Sequence, residues 1–173
     1  MNKILTTLLC LVLLPLLAND TQIPVNEKTG LAEYVNVVKV GGATAAQMHD
    51  RAKKWIHGFF ANPYKVITSE DTLAHEIEGK GRFRMSVTDK KGNVSPAGFV
   101  AFKFTLMFKE GRYRYHFHRI RWEQPSYFDV SRWEKTDDPK YQAEMYPKYV
   151  EQTVNYFNNM LDGLEEAVAT PEE

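Results

Sequence analysis

Cysteine is all but missing from this 173-residue chain: Cys10 is the single example, and it sits inside an apolar run with "LVLLPLLA" still to follow. A lipid-modified cysteine begins its mature chain, so this position argues against a lipoprotein. If residues 1–18 are removed as a leader no thiol remains, which excludes disulfides, a cysteine nucleophile and thiolate-bound zinc. Charge of one sign is missing too, since Lys and Arg number 22 and Asp and Glu number 22. Nucleic-acid-binding domains are usually basic overall, so the balance argues against that partner. Beyond residue 18 no apolar run approaches the roughly 20 residues of a bilayer-spanning helix. There is no HExxH pattern, no acidic metal loop, no nucleophile elbow, no repeat and no low-complexity tract.

What is present begins with an address. Lys3 opens a short basic region, residues 4–18 are almost wholly apolar, and Asn19, Asp20 and Thr21 are polar. That is the layout of a secretory signal peptide. Pro15 disfavours a lasting membrane helix, and cleavage is expected after Ala18. The expectation is an exported protein, periplasmic or secreted, with no transmembrane anchor left behind. About 155 residues remain, enough for one self-sufficient core, read as a single domain over 19–168 and a frayed tail over 169–173.

Along that domain the hydrophobic period changes twice. "AEYVNVVKV" is rich in β-branched residues and stops at Gly41-Gly42, as a strand entering a turn does. Thr44 then opens "TAAQ", a capping box, and Met48, Ala52, Trp55, Ile56, Phe59 and Phe60 recur at three- and four-residue steps. That predicts a helix ending near Asn62-Pro63. From Tyr64 to Trp122 the period is two, and about four strands are expected. Ile77, Gly79, Gly81, Phe83, Met85 and Val87 share one face, as do Val100, Phe102, Phe104, Leu106 and Phe108. A two-residue turn at Glu110-Gly111 sets Phe108 against Tyr113, Leu106 against Tyr115 and Phe104 against Phe117. Ile120 and Trp122 have the wrong parity to continue that row, so a bulge near His118-Arg119 is expected. The stretch 137–168 reads as helical, with Tyr149, Val150, Thr153, Val154, Phe157, Leu161, Leu164 and Val168 as its apolar stripe, and Pro147 starting or kinking a segment. The order is β-α-β-β-β-β-α. With one apolar face per sheet, both helices should cover it, giving a two-layer antiparallel α+β domain of about five strands.

Parity then divides the conspicuous segment "GRYRYHFHRIRW". Tyr113, Tyr115 and Phe117 go to the core, and Arg112, Arg114, His116 and His118 go to the open face. The plain reading of the cations is a solvated face whose long side chains cover the sheet. The functional reading is an anionic or glycan ligand lying across Lys80, Arg82, Arg84, Lys103, Lys109, Arg112, Arg114, His116 and His118, with Glu76 and Glu78 placed to neutralise part of it. A metal between His116 and His118 is disfavoured, because Lys103, Arg114 and Arg119 surround the pair and no further ligand pattern exists; no cofactor is expected. In "WEQPSYFDVSRW", Tyr127, Phe128 and Trp133 could form a sugar-stacking platform, although so apolar a segment ordinarily packs. Ser69, Ser86, Ser95, Ser126 and Ser131 lack a nucleophile context. Glu70-Asp71 and Asp137-Asp138 read as turn and helix-start residues, and His49, His57 and His75 are scattered. The expectation is therefore a non-enzymatic envelope binding or accessory module with an anionic, glycan or envelope-protein partner and no catalytic residues. A hydrolase of envelope or glycan polymers is the alternative.

Four segments together resemble a known family: "IPVNEKTGLAEYVNVVKV", the helix with "RAKKWI", the "IEGKGRF" strand and the "KEGRYRYHF" hairpin. The family is an exported bacterial domain of unknown function with a TATA-binding-protein-like (TBP-like) fold, and the similarity spans about residues 23–122. The resemblance implies strand, helix, a run of antiparallel strands, then helix. It implies no activity and carries over no site residues, and the fold name does not imply DNA binding.

Overall fold

The computed structural model describes residues 21–123 and 128–171. The expected leader and its cleavage site, Ser126 and Tyr127 lie outside the described residues. In chain order the elements are β1 (Tyr34–Lys39), α1 (Ala45–Phe59), β2 (Ile67–Asp71), β3 (Glu76–Thr88), β4 (Val94–Lys109), β5 (Arg112–Glu123), the short β6 (Phe128–Asp129) and α2 (Tyr146–Ala169). The sheet is antiparallel in the order β1-β5-β4-β3-β2, with β6 also paired to β5. Among the described residues no helix is long and apolar enough to cross a membrane.

Alternation along the strands determines which face is dry. Ile77, Met85, Val100, Phe102, Phe104, Leu106, Phe108, Tyr113, Tyr115 and Phe117 are all buried, and the helices cover that face with Met48, Ala52 and Ile56 of α1 and Val154, Phe157, Leu161 and Leu164 of α2. The β4–β5 hairpin has the expected register, with Phe108 opposite Tyr113, Leu106 opposite Tyr115 and Phe104 opposite Phe117. Gly111 turns it at φ +71°, a conformation that side chains with a Cβ resist. The expected bulge is present. Ala101 pairs with Arg121 and Lys103 with His118, so Arg119 and Ile120 stand against Phe102 alone. Arg119 absorbs the extra residue at φ 53°, and Ile120 returns to the core fully buried.

Two glycines in β3 have a packing reason that alternation alone does not reveal. Gly79 pairs with Phe104 and Gly81 with Phe102, and each phenylalanine ring folds over its glycine. A Cβ on Gly79 would fall under 3.0 Å from three atoms of the Phe104 ring, and one on Gly81 would meet Phe102 in the same way. The rings occupy the space the glycines leave, and Phe102 thereby packs on Phe157 of α2 with ring centroids 5.2 Å apart.

The helices start where capping chemistry permits. At α1 the Gln47 amide donates to Thr44 Oγ1 at 3.2 Å and the Thr44 amide donates to Gln47 Oε1 at 3.0 Å, satisfying two N–H groups that have no partner within the helix. The helix ends at Phe59, a little short of Asn62-Pro63, and Phe59 itself is exposed rather than buried. The expectation of helix from residue 137 is corrected, since α2 begins at Tyr146 with Pro147 in its first turn. Residues 136–140 form turns instead: Asp138 accepts from the Lys140 amide and from Arg132 at 2.7 Å. Pro139 also disfavours a helical conformation at Asp138. Glu70 is likewise a strand residue of β2, ion-paired with Lys53 at 2.9 Å, while Asp71 makes the expected turn by accepting from the Leu73 and Ala74 amides.

Candidate anion-binding face

The outer face of the sheet is read across the strands by register. Lys80 of β3 faces Lys103 of β4, which faces His118 of β5; Arg82 faces Ala101, which faces Arg121; and Arg84 faces Phe99, which faces Glu123. Toward the hairpin end, Thr105 faces His116, which faces Val35; Met107 faces Arg114, which faces Val37; and Lys109 faces Arg112, which faces Lys39. Like charges directly opposite each other, as at Lys80 and Lys103, destabilise a sheet. Their presence therefore calls for a reason beyond solubility.

A groove of about 1110 Å³ lies at the end of the face away from the hairpin. Its floor carries Lys80, Arg82, Ala101, Lys103, Arg119 and Arg121, and its wall is the 60–68 segment, which includes Tyr64 and Lys65. That segment runs from the end of α1 through a 3₁₀ turn, Pro63–Lys65, and its Val66 carbonyl accepts from the Lys80 amide at 2.8 Å. Glu123 is the one acid among the described lining residues, and it already lies 3.8 Å from Arg82. Arg82 also stands over the Phe99 ring at 4.6 Å, with Arg84 at 5.7 Å. Among the described residues no carboxylate lies within ion-pairing distance of Lys65, Lys80, Lys103, Arg119 or Arg121. Arg119 carries backbone strain as well, which clusters at binding sites more than elsewhere.

The expected site residues thus divide. Lys80, Arg82 and Lys103 line the groove, Arg84 borders it through Phe99, and His118 adjoins it across Lys103. Lys109, Arg112 and Arg114 do not join them, because nine residues of extended strand separate Arg112 from Arg121, roughly 30 Å. Arg119, Arg121 and Lys65 belong to the groove and are not among the expected site residues. Arg121 was readable from the bulge parity, whereas nothing local marks Lys65, which reaches the face only because α1 returns the chain to the sheet edge.

Between the two ends the charges are more nearly neutralised. His116 Nε2 lies 3.1 Å from Glu33 Oε2, and Glu33 in turn accepts from Asn26 at 2.7 Å. His116 and His118 stack at 4.7 Å. The Asn26 hydrogen bond, then His116, hold the Glu33 carboxyl below the usual range, while burial, then repulsion from His116, Arg119 and Lys103, holds His118 below its usual range. The signs give a pH dependence. A folded chain with a depressed histidine takes up a proton less readily than the unfolded chain, so stability is full above the ordinary histidine value of 6.5 and falls as the pH drops below it. Glu33 adds a second loss below 4.5, as pH falls through its lower folded value. The denaturant midpoint is expected to be lower at pH 5.5 than at pH 7.5, with a smaller difference in His118→Gln; an equal difference in both proteins would assign the effect elsewhere.

The aromatic platform is corrected at Trp133. Trp133 is 1% exposed, sits in a 3₁₀ turn, and packs on Trp122, Tyr146 and Tyr149 with centroids 5.3–6.3 Å away. Phe128 is half-buried in β6 against Trp122, under Arg132. The segment closes the core between β5 and α2, so Trp133 has no free ring face to offer. His49, read as one of three scattered histidines, is also buried, edge-on to Phe108 at 5.7 Å and 6.1 Å from His75. Ser131 is buried as well, its hydroxyl donating to the Gly30 carbonyl at 3.1 Å.

The element order, the single antiparallel sheet and the two helices on one of its faces define a TBP-like α+β domain. The chain belongs to the family described as a domain of unknown function (DUF4468) with TBP-like fold, whose match covers residues 34–123. A crystal structure of a DUF4468 family protein from Bacteroides ovatus is similar over 86% of this chain and 91% of its own, with TM-score 0.68 and 18% identity. A TBP-like protein from Parabacteroides distasonis is similar over 85% of this chain and 98% of its own, with TM-score 0.66 and 9% identity. At such identities the likeness is one of fold. No curated protein matches the chain.

Proposed function

We propose that the protein is an exported, non-enzymatic binding module that takes an anionic ligand on the outer face of its sheet, in the groove between the 60–68 segment and strands β3, β4 and β5. The observation that carries this reading is the convergence of Lys65, Lys80, Lys103, Arg119 and Arg121 without a carboxylate in ion-pairing distance among the described residues. Holding like charges together costs stability unless a counter-charge arrives. A concave site strengthens the attraction by focusing the field. The one carboxylate among the described lining residues, Glu123, lies 3.8 Å from Arg82, which suits binding better than acid–base chemistry. Export rests on the basic, apolar and polar succession of residues 1–21.

A ligand that binds only the folded state raises its melting temperature. Phosphate, sulfate and oligomeric uronates are expected to raise the melting temperature of the purified protein, and Lys80→Glu combined with Lys103→Glu is expected to abolish the rise. A rise of the same size in the charge-reversed protein, or none in the native one, removes this function.

A further inference from the structure

We infer that the groove is built for an acidic carbohydrate, with Tyr64 as the residue on which a sugar ring stacks. The inference rests on reading the groove as an anion site and asks what a purely electrostatic site would leave unexplained. That remainder is Tyr64 itself. Its side chain is 85% exposed on the groove wall, whereas the other tyrosines of the sheet and α2 are buried or half-buried. A large ring left in water costs apolar hydration, and in a compact domain rings normally pack.

Tyr64 is also held in place. Pro63 restricts the backbone at the start of the 3₁₀ turn, and the ring meets His57 of α1 edge to face, with centroids 5.5 Å apart and planes at 87°. A rigid aromatic with one side engaged offers contact area at little entropic cost. The same lining supplies Asn62 and Thr68, uncharged hydrogen-bonding side chains suited to hydroxyl groups, together with Lys80 and Lys103. Ring stacking, amide and hydroxyl groups, and cations in one groove match the three chemistries of a uronic or sulfated sugar: an apolar C–H face, hydroxyls and an anion. A compact inorganic anion would use only the last. Single-stranded nucleic acid would be expected to meet several exposed aromatics along a basic track, and among the described lining residues Tyr64 is the one exposed aromatic. The volume, about 1110 Å³, exceeds what a single small anion fills and lies just above the roughly 300–1,000 Å³ of small-ligand pockets.

The experiment titrates the purified protein by calorimetry with tetragalacturonate, a heparin tetrasaccharide, inorganic phosphate and an oligothymidylate. Four proteins are compared: native, Tyr64→Ala, Tyr64→Phe, and the Lys80→Glu, Lys103→Glu double variant. At 85% exposure, Tyr64 is replaceable without opening the core, and unchanged melting temperatures verify this. Tyr64→Ala is expected to weaken at least one acidic oligosaccharide by about tenfold while leaving phosphate unchanged, with Tyr64→Phe restoring the affinity. The double charge variant should lose all anions. If the charge variant loses the oligosaccharides but Tyr64→Ala does not, the carbohydrate inference falls and the anion site stands. Tighter, Tyr64-dependent binding of oligothymidylate would replace the sugar by a nucleic acid and likewise overturn it. If no probe binds the native protein, or the charge variant binds as the native does, the anion site fails and takes this inference with it.

Discussion

Replacing Phe157 with alanine is expected to lower the unfolding free energy by about 3–5 kcal/mol, the largest effect of any single substitution considered for this protein. Phe157 is completely buried at the centre of the helix–sheet interface. Its ring stacks on Tyr34 of β1 at 4.3 Å and meets Phe102 of β4 at 5.2 Å, Phe117 of β5 at 6.0 Å and Phe83 of β3 at 6.3 Å. One side chain of α2 therefore touches four strands. Truncation removes the transfer free energy of the ring and leaves a cavity that the rings around it, themselves tightly packed, are poorly placed to fill. Guanidinium melts at constant pH would measure the loss. A change below about 1 kcal/mol would mean that α2 does not dock on the sheet through this residue.

The second large effect comes from adding atoms rather than removing them. Glycine is ordinarily a poor strand residue, so Gly79→Ala would be mildly favourable on an open sheet. Here the added methyl would lie within the Phe104 ring. The ring cannot swing aside freely, because it also packs on Phe117 at 5.4 Å. Overpacking of this kind costs about 1–3 kcal/mol, reversing the sign expected from propensity alone. Phe104→Leu should be destabilising by itself yet relieve the clash, so the double variant should lose less than the sum of the two single losses. Additive losses in that cycle would show that the ring is not what excludes the Cβ.

Both effects bear on the outer face, because its geometry is set from beneath. The rings of Phe102 and Phe104 lie over Gly81 and Gly79 on the dry side, and the same stretch of backbone presents Lys80 and Lys103 on the wet side. A site on strands supported by a packed core is held more firmly than one on loops. Tyr64 and Lys65 are the exception, coming from the segment between α1 and β2.

The first helix cap, the strand faces, the hairpin register and the bulge were legible in the amino-acid order. Each depends on neighbours close in the chain: Thr44 with Gln47, alternate residues along a strand, and residues counted outward from Gly111. Local geometry has few solutions, since a one-residue slip would have turned Tyr113, Tyr115 and Phe117 to water. The lengths and roles of the less periodic parts were not legible. The stretch 137–145 reads as a continuation of the helix that follows it, but Asp138 and Pro139 favour turns there, and α2 waits for Tyr146. Trp133 could be ligand-facing or buried in any sequence reading, and its burial follows only from how β6 and α2 close over Trp122.

Sequence alone therefore determined the two-layer α+β plan and which side of the sheet is charged, because periodicity partitions side chains between core and water before any distant contact forms. Tertiary structure alone decided that β1 pairs with β5, that Phe102 and Phe104 need glycines opposite them, and that Tyr64 and Lys65 meet Lys80, Lys103, Arg119 and Arg121 in one groove. Those outcomes depend on contacts between residues tens of positions apart, where shape and excluded volume rather than local pattern select the partner.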